Sequence, residues 1–172
     1  PGHNSKLLSI WWNLLEDHNT TTFPPEATLY GVKYTLIDRS YGKICEFLES
    51  SNFRRVFETE QTVVYENQDF RGLIFAIKET DEYTSLTSLP KADVDVSYRW
   101  SDYNTIVINI YARESCTLTI SYVYDDFWKA KLDNESAMIK EIHGVMAVEL
   151  NAGKHEVILH FTAYEKMLPF FM

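Results

Sequence analysis

Adjacent carboxylates beside an indole are the residues here with most chemical promise. Asp125-Asp126 fall in a predicted loop, and Trp128 follows two residues later. Two neighbouring carboxylates could ligate Ca²⁺ through oxygen, as calcium sites in sugar-binding sandwiches do. There is no EF-hand spacing, and no further oxygen ligand follows in order, so a solvated loop pair is the preferred reading and no cofactor is expected. Trp128, Tyr124, Tyr122 and Tyr103 are the aromatic candidates. Flat, stiff rings stack on the apolar face of a sugar and lose little entropy in doing so. The competing reading is structural, because Trp and Tyr in a sandwich usually fill the core. Tyr122 and Tyr124 sit in register with Leu118 and Ile120, which favours the core, whereas Trp128 beside the loop is open to either role.

The other reactive residue types form no constellation. His3, His18, His143, His155 and His160 make no HxH or HExxH pattern. His155 and His160 are five apart on a predicted strand, so they point to opposite faces and are read as surface residues. No GxSxG elbow, Gly-rich phosphate loop or CxxC pair is present. Among 25 acidic residues, no pair is singled out for glycoside hydrolysis. Cys45 and Cys116 are too few for a disulfide scaffold and are read as two buried thiols, with a single bridge left open. Asn19-Thr-Thr21 and Asn134-Glu-Ser136 match the N-glycosylation acceptor pattern, both in predicted loops, and favour an extracytoplasmic address.

The 172 residues suit one domain, or one domain with a small companion. Hydrophobic residues make up 45% and charged residues 24%, an ordinary globular balance that excludes intrinsic disorder. The aromatic share of 15% is high. A net charge of −9 repels phosphate backbones, so no nucleic-acid partner is expected. No apolar run reaches the length of a membrane span. The last residues, Met167–Met172, rise in apolarity as a boundary before a membrane helix would.

Two parts must position these residues. Residues 1–80 read as a small α+β subdomain. Leu7, Trp11, Leu14, Leu15 and His18 share one face of a helix over 5–18. A strand follows at Val32–Ile37, then a helix over 41–51 that Ser40 can cap. Short strands are expected at Phe53–Phe57, Thr62–Tyr65 and Leu73–Ile77. Residues 81–92 are polar and read as a linker. Residues 93–166 alternate with period two through seven strands, broken by turn residues, which argues for an antiparallel β-sandwich of the jelly-roll type. Such alternation predicts one wet and one dry face per sheet.

Four segments, in this order, resemble a known family. They are Leu29-Tyr-Gly-Val-Lys-Tyr-Thr-Leu-Ile-Asp38, Thr62-Val-Val-Tyr-Glu-Asn67, Phe127-Trp-Lys-Ala-Lys-Leu-Asp133 and Asn151-Ala-Gly-Lys-His-Glu-Val-Ile-Leu-His-Phe161. Together they resemble the C-terminal soluble region of large polytopic membrane proteins. One branch is bacterial and linked to glycosylation of cell-surface polymers. The other is archaeal and labelled "6-pyruvoyl-tetrahydropterin synthase-related". The resemblance implies a lipid-phosphosugar-dependent glycosyltransferase whose active site faces away from the cytoplasm, in loops that these segments do not include. It carries no catalytic residue onto this chain. Bottom-up, the same segments read as architectural: Asp133-Asn134 is a tight turn, and Gly153 is free to adopt positive φ.

The expected function is a non-catalytic, extracytoplasmic accessory domain, carbohydrate-binding-module-like, that holds or orients a glycan. Its partners would be that glycan and the transmembrane portion of the same polypeptide. Trp128, Tyr124, Tyr103, Asp125 and Asp126 are the expected binding residues. The alternative is a structural or protein-interaction domain, in which Tyr103 and Trp128 would be buried. A free-standing enzyme has least support.

Overall fold

The computed structural model describes residues 27–78 and 90–163. The expected helix over 5–18, the acceptor Asn19, the linker up to 89 and the apolar end at Met167–Met172 lie outside the described residues. The chain divides into two compact units; of the described residues, 27–73 belong to the first and the remainder to the second. No helix among the described residues is long and apolar enough to cross a membrane.

The first unit is a three-stranded antiparallel sheet with a helix on one face. Its elements are β1 (Tyr34–Asp38), α1 (Gly42–Ser50), β2 (Phe53–Glu58) and β3 (Thr62–Asn67), and the strand order is β1-β3-β2. Alternation in β1 and β3 turns Ile37, Val63 and Tyr65 inward, where they meet Ile44 and Leu48 from α1. The buried Tyr65 needs a partner for its hydroxyl, which donates to Glu49 Oε1 at 3.0 Å. Glu49 is also ion-paired with Arg55, and that guanidinium holds its carboxyl below the usual range. Ser40 does not cap α1: Tyr41 occupies that position without a side-chain bond, while the Ser40 amide donates to Asp38 Oδ1 at 2.8 Å. The Asx turn competes with capping because it closes two residues earlier and fixes the chain's approach to the helix.

The second unit contains two antiparallel sheets over one core, the packing of a β-sandwich. One sheet has the order β10-β11-β7-β4, from Lys140–Ile142, Val145–Leu150, Cys116–Val123 and Ile74–Lys78. The other has the order β5-β6-β12-β8-β9, from Val94–Asp102, Thr105–Ala112, Gly153–Phe161, Trp128–Leu132 and Glu135–Ala137. Between them lie Ile106, Ile108 and Ile110 of β6, Leu118 and Ile120 of β7, Met146 and Val148 of β11, and Val157 and Leu159 of β12. Each follows the period-two spacing read from the sequence.

Three features differ from the sequence reading. β4, expected with the first part, joins the sandwich by pairing with β7, Ile74 opposite Ile120 and Lys78 opposite Cys116. Residues 90–92, expected within the linker, lie against β4: the Lys78 amide donates to the Pro90 carbonyl, and the Ala92 amide to the Ala76 carbonyl. The expectation of one wet face per sheet fails for the four-stranded sheet. Its outward positions Phe75, Ile77, Thr117, Thr119 and Ala147 are as buried as its inward ones. Small, hydroxyl and aromatic side chains there tolerate burial on both sides, and local alternation cannot register a second cover.

Candidate functional site

The expected binding residues do converge on one end of the sandwich. The β5–β6 turn carries Tyr103 and Asn104, the β7–β8 loop carries Tyr124, Asp125, Asp126 and Phe127, and β12 ends there at Phe161. Backbone bonds tie these pieces together. The Phe161 amide donates to the Asn104 carbonyl at 2.8 Å, and the Thr162 amide to the Phe127 carbonyl at 2.9 Å. The Tyr124 amide donates to the Gly144 carbonyl at 2.8 Å, which adds the β10–β11 turn.

Within this end the aromatic roles divide. Trp128 and Tyr124 pack against the core and are only partly exposed. Trp128 lies 5.0 Å from Phe161 and 6.2 Å from Tyr122, ring centre to ring centre. Trp100 continues the row edge-on to Tyr122 at 6.0 Å. Such tilted and edge-to-face pairs fix each ring against its neighbour. Tyr103, by contrast, is 78% exposed at the tip of its turn. Tyr98 and Trp100, 43% and 44% exposed, were not among the expected site residues. They face the same side as Ile106 and Ile108, but β5 is the edge strand and leaves them partly uncovered. Alternation put them on an apolar face; that the face lies at a sheet edge is a tertiary fact.

The two carboxylates serve the loop. Asp125 Oδ1 accepts the Phe127 amide at 2.8 Å in an Asx turn, and the Asp125 carbonyl accepts the Trp128 amide. Asp126 Oδ1 accepts the Tyr124 hydroxyl at 3.3 Å, and burial together with this carboxylate raises that hydroxyl's pKa. No group of three or more potential metal ligands exists among the described residues.

A second polar assembly occupies the outward face of the five-stranded sheet toward its other end. Register pairing aligns Asp95, Tyr111 and Lys154 in one row and Ser97, Asn109 and Glu156 in the next. They line an open depression of about 470 Å³, together with Ile110 and His155. Arg113 stands 5.4 Å over the Tyr111 ring and is ion-paired with Asp93 and Asp95, each at 2.8 Å. Beside the depression, His155 Nδ1 is 2.7 Å from Asp133 Oδ2, and its Nε2 is 3.1 Å from the Asn151 carbonyl. The His155 side chain is only 14% exposed, not the surface residue expected. Both ring nitrogens therefore face oxygen atoms of the chain itself. Asp133 and Asn134 take φ of 52° and 69°, the tight turn expected of them. Neither Cys45, half-buried, nor Cys116, buried, is in a disulfide.

Comparisons with protein-family models, with curated proteins and with solved structures found no match to this chain.

Proposed function

We propose that this chain is a non-catalytic, extracytoplasmic accessory domain of a membrane-bound, glycosyltransferase-like protein, in which it binds or orients a glycan. The observation that carries the reading is the set of exposed rings at one end of the sandwich, Tyr98, Trp100 and Tyr103. Trp100 packs edge-on against Tyr122, which packs in turn against Trp128, so an aromatic face is already ordered before any ligand arrives. The alternative, a structural or protein-interaction domain, expects Tyr103 and Trp128 to be buried, and the exposure of Tyr103 supports the glycan reading over it. That alternative draws its own support from Trp128, which packs into the core wall.

The partner assigned to the domain is the transmembrane portion of the same polypeptide, on the strength of the four-segment resemblance. A jelly-roll, carbohydrate-binding-module-like sandwich is part of the proposal. It is supported by β6 and β12 pairing in one sheet while β7 and β11, their neighbours in sequence, pair in the other. An α+β first part is supported by α1 packing on the three-stranded sheet.

Calorimetric titration against neutral oligosaccharides tests the reading. Binding that weakens about tenfold in Trp100→Ala, the loss of roughly 1.4 kcal/mol of stacking, is expected. Absence of binding to every plausible surface sugar removes the glycan role.

A further inference from the structure

We infer that the depression on the outward face of the five-stranded sheet is a saccharide-binding subsite separate from the aromatic end, with a neutral, hydroxyl-rich ligand. Three observations carry this. First, Ser97, Asn109, Lys154 and Glu156 stand side by side on adjoining strands, the first three exposed and Glu156 half-buried, so their polar groups are open to a ligand. Strands lie about 4.8 Å apart and alternate residues about 6.8 Å apart, so the two rows span roughly 10 by 7 Å. That is the footprint of one or two pyranose rings.

Second, the donors and acceptors are mixed. Lys154 donates only, ionised Glu156 accepts only, and Ser97 and Asn109 do both. A hydroxyl group donates and accepts at once, so a polyol satisfies every member of the set. An anionic ligand meets Glu156 and Asp95, and a cationic one meets Lys154, which leaves the neutral polyol as the matching class. Third, the site is stiff. Its residues lie on three hydrogen-bonded strands rather than on loops, and Arg113, anchored by Asp93 and Asp95, holds the Tyr111 ring from one side. Preorganised groups give up little entropy on binding. The openness of the depression suits an internal stretch of a chain rather than its end.

The test is NMR titration of the isotope-labelled chain with the methyl glycosides of glucose, galactose, mannose and N-acetylglucosamine into the millimolar range. At least one should give saturable shifts at the Asn109 side-chain amide and along β5, β6 and β12. Glu156→Gln, which keeps the shape, should weaken that binding about fivefold, as should Asn109→Ala. Trp100→Ala should weaken only binding at the aromatic end, so the shifts at the Asn109 side-chain amide should persist in it. Shifts confined to the Tyr98–Trp100 end overturn this subsite and leave the proposed glycan role standing. Shifts at the depression that survive both Asn109→Ala and Glu156→Gln also overturn it. Absence of shifts anywhere overturns both.

Discussion

Asp133 and His155 close the sandwich at the end remote from its aromatic rings. Asp133 Oδ2 meets His155 Nδ1 at 2.7 Å, while Asp133 Oδ1 accepts the Glu156 amide at 2.9 Å. One carboxylate therefore pins the β8–β9 turn to β12 through both of its oxygens. His155 lowers the Asp133 pKa below its ordinary value, and the Glu156 amide lowers it further.

Linkage gives this clamp a pH signature. A carboxyl with a depressed folded-state pKa stabilises the fold above its unfolded value of about 3.9 and loses that contribution as pH falls through the folded value. Asp133→Asn keeps a residue that tolerates positive φ but removes the charge. Thermal melts should show the variant less stable at pH 6, with the gap closing between pH 4 and pH 2. A gap of constant size across that window would mean that the charge contributes nothing.

The turn itself makes a second prediction. Asn134 holds φ at 69°, a conformation that other non-glycine side chains resist by about 1–2 kcal/mol. Asn134→Ala should lower stability by about 1 kcal/mol in urea denaturation, and Asn134→Gly should match or exceed the parent.

Thr119 is fully buried on the outward face of β7, and its hydroxyl has no hydrogen-bond partner among the described residues. A lone buried hydroxyl forfeits its bonds to water with nothing gained in return. Thr119→Val, nearly the same shape and suited to a strand, should stabilise the chain by about 1 kcal/mol. Equilibrium denaturation measures it; a loss of stability would point to a partner for that oxygen.

Ile108 sits fully buried at the centre of β6, between the two sheets. Ile108→Ala should cost about 3 kcal/mol through lost burial and the cavity left behind. Ile158, half-buried on the neighbouring strand β12, faces the opposite side of the same sheet, and Ile158→Ala should cost less than half as much. Comparable losses for both would mean that the outward face is packed as tightly as the inner one.

Period-two spacing in the amino-acid sequence determined which side chains of β6, β7 and β12 point together, and turn chemistry at Asp133-Asn134 determined where β8 stops. Both are local effects, set by backbone sterics and side-chain alternation within a few residues. Tertiary structure decided the rest. Pairing with β7, forty residues away, drew β4 out of the first unit, and edge placement of β5 left Tyr98 and Trp100 uncovered. It was also tertiary structure that brought Asp133 to His155 and lined up Ser97, Asn109 and Glu156 across three strands. Contacts between strands distant in sequence depend on which sheet edges meet, and no pattern within one strand encodes its neighbour.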